Sequence, residues 1–191
     1  MYRIQAIILD KKKIREKQMH ITLFSREYGK ISVWYYKKHF SGDIGDIISC
    51  IVERKTTINT VKSYQIKNHL IRKKWTYAPL LQFLCIVKSI DQAFADYDTA
   101  EYIYDDYTTA LKATPEQISY DQSLLLQMRI LKYTGLLDPN FFSNDPVLEY
   151  MYKQITKTPL ERILKTKPLK KTWQSTIEKS NLYTLSEFAS F

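Results

Sequence analysis

The residues whose types and spacing could act on a ligand are basic and aromatic. Lys11, Lys12, Lys13, Arg15 and Lys17 crowd one segment, and Arg26 and Lys30 flank Tyr28-Gly29. Trp34, Tyr35, Tyr36, Lys37 and Lys38 are consecutive, and Arg72, Lys73, Lys74 and Trp75 form a last cluster. Cations gathered in this way attract polyanions through their summed field. Aromatic rings set between them offer faces for nucleic-acid bases, each stack contributing about 1–3 kcal/mol. The charge is segregated along the 191 residues: residues 1–75 carry 17 Lys and Arg against 6 acids, net +11. Residues 76–150 carry net −7 and residues 151–191 net +5. Same-sign clustering of this strength exceeds what solubility requires, so nucleic-acid binding through these segments is expected.

Covalent chemistry finds little support in the residue types. There is no G-x-S-x-G elbow, no H-E-x-x-H pair and, with 4 glycines, no phosphate-cradling glycine loop. Cys50 and Cys85 stand 35 positions apart, and His20, His39 and His69 are scattered. Neither a four-ligand zinc site nor a disulfide framework is expected, which fits a reducing, cytoplasmic setting. Cys85 lies in an apolar run and reads as an inert thiol; His20, between Met19 and Ile21, reads as structural. The acidic group Asp96, Asp98, Glu101, Asp105 and Asp106 is the one place for a metal-dependent nuclease. Asp98, Glu101 and Asp105 share a helical face there, and two-metal catalysis needs several such carboxylates. That face lies opposite the apolar stripe of the same helix, so a solvated face, or one meeting a basic patch of another protein, is the favoured reading.

The elements that must position these groups change character once along the chain. Tyr2–Asp10, Gln18–Phe24, Lys30–Tyr36, Asp46–Arg54 and Thr56–Lys67 alternate or are rich in β-branched residues, and polar breaks separate them. Five short strands favour a closed barrel of the oligonucleotide-binding (OB) type, because closure removes exposed edges. Lys11–Lys17 is then the first inter-strand loop, adjoining the other basic loops. Trp34 and Tyr36 share one face of the third strand and Tyr35 takes the other; the pattern leaves open which is inward.

After Trp75 the period becomes helical. Phe83, Val87, Ile90 and Phe94 form one stripe, and Ala100, Ile103, Tyr104, Tyr107 and Leu111 a second. Thr114-Pro115-Glu116-Gln117 reads as a capping box opening a helix that ends at Gly135. Asp145-Pro146 starts a fourth helix, Thr158-Pro159-Leu160-Glu161 a short fifth, and a basic last helix covers about 169–179. The expected class is α+β: an N-terminal five-stranded OB-type β-barrel over residues 1–70, then an all-α helical bundle over 71–191. Ala78–Val87, the longest apolar stretch, is about half of what a spanning helix needs, and neither a secretory leader nor a membrane association is expected.

The run Leu23-Phe24-Ser25-Arg26-Glu27-Tyr28-Gly29-Lys30-Ile31-Ser32 resembles the second hairpin of the bacterial RecO recombination-mediator family, whose pattern there is T-L-F-T-R-E-H-G-x-I-S. Ala6-Ile7-Ile8-Leu9 is similar to that family's opening strand. Leu126-Gln127-Met128-Arg129-Ile130-Leu131-Lys132-Tyr133-Thr134-Gly135-Leu136 resembles its R-F-E-L-R-L-L-x-x-L-G-Y helix. The likeness spans residues 1–140. The sequence departs from the family at Tyr35-Tyr36-Lys37-Lys38-His39, where a basic glycine-containing segment is usual, and after Gly135, where no four-cysteine zinc module follows.

The resemblance implies a DNA repair and recombination protein of the nucleoid. It would bind single- and double-stranded DNA, anneal complementary strands, and work with RecR to load RecA on strands coated by single-stranded-DNA-binding protein. No cofactor, no metal and no catalytic residue is implied. The expected DNA contacts are Lys11, Lys12, Lys13, Arg15, Lys17, Arg26, Tyr28, Lys30, Trp34, Tyr36, Lys37, Lys38, Arg72, Lys73 and Lys74. By analogy and charge, Arg129, Lys132, Lys165, Lys167, Lys170 and Lys171 would receive the acidic tail of single-stranded-DNA-binding protein. The alternatives are an RNA-binding barrel, since a 2′-hydroxyl contact leaves no sequence signature, and the nuclease at 96–106.

Overall fold

The computed structural model describes residues 1–37, 39–56, 58–70, 76–112 and 118–188, with only the backbone of 186–188. Lys38, Arg72, Lys73, Lys74 and the capping box expected at 114–117 lie outside the described residues. The chain divides into two compact units: Met1–Thr76 with Phe94–Leu111, and Tyr77–Ala93 with Lys112–Phe191. The first holds the five strands and, beyond residue 70, a helical segment that periodicity alone does not tie to the barrel.

Strands β1 (Tyr2–Arg15), β2 (Gln18–Ser25), β3 (Gly29–Tyr35), β4 (Ile47–Lys55) and β5 (Ile58–Asn68) close in the order β1-β2-β3-β5-β4, an OB-type barrel. Alternation explains the closure. Ile4, Ala6, Ile8, Ile21, Leu23, Ile31, Val33, Tyr35, Ile48, Cys50, Val52 and Val61 all point inward and form the core. Burial pushes the Cys50 thiol up to about 12. Tyr35 is the inward ring of the third strand, 5% exposed, and Tyr36 is 51% exposed.

The segment expected as the first loop is strand. β1 continues to Arg15, pairing Lys11 with Ile21, Lys12 with His20, Lys13 with Met19 and Arg15 with Gln18. Extra residues at register breaks after Ile8 and after Lys13 let the strand bend while it stays paired. Lysines disfavour a strand only weakly when a partner strand can satisfy their backbone, and β2 supplies that partner.

Helix α2 (Glu101–Lys112) buries Ile103, Tyr104, Tyr107, Ala110 and Leu111, the second expected stripe. Tyr107 donates to the Gly45 carbonyl at 2.7 Å, and Phe94 lies 5.0 Å from Phe24 between ring centres. Phe94 thus packs on the outer side of β2 instead of completing the first helical stripe. Gly29, at φ 63°, sits against the Asp98 carbonyl, where a Cβ would overlap. The Tyr97 amide donates to the Lys30 carbonyl at 2.7 Å. Segment 94–99 therefore closes over the start of β3 at the one residue with no side chain.

The second unit holds α1 (Tyr77–Ala93), α3 (Tyr120–Tyr133), α4 (Pro146–Gln154), the single turn α5 (Leu160–Ile163) and α6 (Lys171–Phe188), and α1, α5 and α6 pack on a nearly buried α3. The capping box at the start of α3 is Ser119 with Gln122, and its C-terminal turn closes at Gly135 with φ 74°. Asp145 caps α4 as expected, its carboxylate accepting from the Val147 and Leu148 amides. Hydrogen bonds from Trp173 and those amides hold its carboxyl below the usual carboxylate range. At α5 the expected box does not form, because the Thr158 hydroxyl donates to the Gln154 carbonyl instead. Cys85 is half-buried, not enclosed. Among the described residues no helix is long and apolar enough to cross a membrane.

Candidate nucleic-acid interface

Strand register brings the expected contacts into rows, and the rows separate them. Lys12 pairs with His20 and His20 with Trp34, so these three side chains share the outer face of the sheet. The His20 and Trp34 rings meet edge-on at 5.1 Å, and Trp34 lies nearly parallel to Tyr36, 6.3 Å away and 20° tilted. Lys12, Lys13, Arg15, Lys17, Tyr36 and Lys37 are all exposed around this row. Cations and stackable rings therefore occupy one end of the β1–β2–β3 sheet. His20, read from the sequence as structural, is part of the aromatic row, a placement legible only once the register is known.

Lys11 belongs to the neighbouring inward row with Ile21 and Val33. Its ammonium donates to the Gly42 carbonyl at 2.8 Å and forms an ion pair with Asp43. It closes the barrel over segment 41–43 and is occupied within the chain.

Arg26, Tyr28 and Lys30 lie at the other end of the sheet, so the basic segments are not the adjoining loops expected. β2 runs from Gln18, beside the Lys12 end, to Ser25, at the Arg26 turn. Eight extended residues separate the two ends by roughly 23 Å. Arg26 pairs there with Asp105 at 3.0 Å and Glu101 at 3.6 Å. The Tyr28 ring lies 4.8 Å from Tyr2. Lys30 pairs with Phe24, and its backbone is bound by Tyr97.

The acidic face of α2 thus meets a basic residue of its own chain. Among the described residues no three Asp, Glu, His or Cys side chains are grouped so that they could hold a metal ion. Asp98 accepts from the Ala95 amide, and Glu101 and Asp105 face the Arg26 guanidinium, so the three carboxylates do not converge on a shared point.

The helical unit sorts its cations similarly. Arg129 is 7% exposed and donates to the Ile155 carbonyl at 3.0 Å and to the Thr158 carbonyl. Lys132, one turn on, donates to the Tyr152 and Lys153 carbonyls, with its ammonium 4.3 Å from the Tyr152 ring centre. Burial, then the charge of Lys157, holds the Lys132 ammonium below its ordinary value. Both residues thus donate to carbonyls at and just beyond the end of α4, within their own chain. Lys165, Lys167, Lys170 and Lys171 are exposed. Lys167 edges a groove of about 370 Å³ lined by Leu125, Met151, Ile155, Leu169 and Trp173. Lys170 lies 4.8 Å from the Trp173 ring centre.

No protein-family model matches the chain, and no curated protein matches it.

Proposed function

We propose that the chain is a non-enzymatic DNA-binding protein of repair and recombination. It grips single strands on the outer face of its barrel, and anneals complements there. The observation that carries this reading is the row Lys12–His20–Trp34, extended by the Trp34–Tyr36 stack, with Lys13, Arg15, Lys17 and Lys37 exposed at the same end of the sheet. Aromatic rings and cations gathered on one surface are the two components of sequence-tolerant strand binding. Annealing needs no covalent step: cations that replace condensed counterions lower the repulsion between two strands.

The likeness of residues 23–32 and 126–136 to the RecO family extends the proposal to loading recombinase, together with RecR, at the nucleoid. The acidic tail of single-stranded-DNA-binding protein would enter the apolar groove of the helical unit, attracted by Lys165, Lys167, Lys170 and Lys171.

A strand-annealing assay tests the proposal directly. Complementary oligonucleotides, bare or coated with single-stranded-DNA-binding protein, are expected to pair faster with the protein present. An annealing rate equal to the protein-free control in both conditions overturns it. A matched RNA competitor that displaces DNA completely would reassign the barrel to RNA.

A further inference from the structure

β3 and β5 are paired at Trp34 and Thr60. The residues that follow on each strand line a cleft of about 440 Å³: Tyr35 and Lys37 on one side, Ser63 and Tyr64 on the other, with Ser41 and His69. Its size lies in the range of cavities that hold small organic ligands, far above what a lone phosphate fills.

Two of its walls are fixed by the chain. The Tyr64 hydroxyl accepts from the Ser41 amide at 2.8 Å and lies 3.0 Å from the Ser41 hydroxyl. Its ring packs against Phe40 at 4.5 Å and edge-on to Tyr35 at 5.6 Å. His69 is held through Nδ1, 3.1 Å from Oδ2 of the fully buried Asp46. That carboxylate also accepts from the Leu70 amide at 2.7 Å and the Asp43 amide at 2.9 Å. A carboxylate only accepts, so Nδ1 carries the proton, and Nε2 is the nitrogen without that partner. The lining contains two basic side chains and no acidic one. Asp46 stands behind His69 and fixes the orientation of its ring.

We propose that this cleft is a nucleoside monophosphate pocket: the phosphate is bound by the Lys37 ammonium and the serine hydroxyls beside the His69 ring, and the base lies against Tyr64. The same chemistry is presented by a free nucleotide and by the 5′-phosphorylated end of a strand. The pocket shares Lys37 with the border of the outer aromatic row; Ser41, Ser63, Tyr64 and His69 are not among the residues of that row.

The test is a titration of the full chain, following the His69 imidazole by NMR, with dTMP, thymidine and inorganic phosphate in turn. The expected result is that dTMP shifts the resonance with an affinity at least tenfold above the other two. Lys37→Ala and Ser63→Ala are expected to weaken dTMP binding severalfold with the His69 signal still in its folded position. His69→Gln should weaken it tenfold, read on the Tyr64 ring. Lys12→Glu, on the outer row, should leave dTMP binding unchanged while strand binding falls. A 5′-phosphorylated oligonucleotide that displaces dTMP where its 5′-hydroxyl counterpart does not supports the pocket as a strand-end site; equal failure of both supports it as a free-nucleotide site. No dTMP response, an equal response to inorganic phosphate, or binding indifferent to both Lys37→Ala and His69→Gln overturns the proposal.

Discussion

Arg26 Nη2 lies 3.0 Å from Asp105 Oδ2, and this pair joins two residues that composition alone assigns to different ligands. The arginine is one of the cations expected on DNA, and the aspartate belongs to the acidic face that only the alternative nuclease reading would place on a metal. Each answers the other, at the end of the sheet away from the aromatic row. Both side chains are about half exposed, so the pair itself stabilises the fold by at most about 1 kcal/mol.

The two ends of the sheet are therefore expected to respond differently to substitution. Trp34→Ala removes the centre of the outer row and should weaken single-strand binding about 5- to 150-fold, the equivalent of one lost stack. Arg26→Ala should change it less than twofold. Fluorescence anisotropy with a labelled oligonucleotide measures both. Equal losses at the two positions would refute a track confined to the Lys12 end.

Much of the barrel is legible in the sequence because a half-buried strand writes its alternation directly, as in Ile31, Val33 and Tyr35. The extent of β1 is not, because Lys11–Arg15 has the composition of a turn and becomes strand only through its pairing with β2. The rows across strands are equally hidden. Lys12, His20 and Trp34 are neighbours only at one register, and a shift of one residue would put Trp34 inside. Asp46 and His69 are 23 positions apart, with no motif to link them. In the helical unit the charge of Arg129 was visible, but its burial against the end of α4 depends on packing that sequence spacing does not express.

Salt should act on the strand complex with a slope set by the exposed cations of one end. If Lys12, Lys13, Arg15, Lys17 and Lys37 each neutralise one phosphate, the log–log slope for single strands is about −3.5. The double variant Lys12→Gln with Lys13→Gln should bring it to about −2.1. Isothermal titrations across 50–300 mM salt read the difference, and an unchanged slope would place the phosphate track elsewhere.

In the helical unit, charge and function are expected to separate. Arg129→Met leaves the Ile155 and Thr158 carbonyls without their donor in a buried site, and should cost about 2–4 kcal/mol in urea unfolding. Lys167→Ala and Lys170→Ala should each fall within about 0.5 kcal/mol of the parent. The lysine variants should instead weaken binding of an acidic peptide to the groove. Destabilisation by Lys170→Ala as large as that by Arg129→Met would contradict this division.

Stability is expected to fall in alkali, and Cys50 marks where the fall begins. Its thiol titrates near 9.0 in the unfolded chain and is pushed up to about 12 in the core. Between those values the unfolded state has released a proton that the folded state keeps, so unfolding becomes easier as pH rises, by about 1.4 kcal/mol per pH unit per group at full difference. Tyr104, pushed up to about 12 by burial, and the enclosed Tyr107 add the same sign above about pH 10. Lys132 acts oppositely: its depressed value means that the unfolded chain holds the extra proton, so stability rises with pH up to about 10.5. Comparing Cys50→Ala with the parent cancels these other groups. The variant should lose about 1 kcal/mol less than the parent between pH 9 and 10, read from urea midpoints at the two pH values. Parallel losses in both proteins would mean that the Cys50 thiol ionises in the folded barrel as readily as in water.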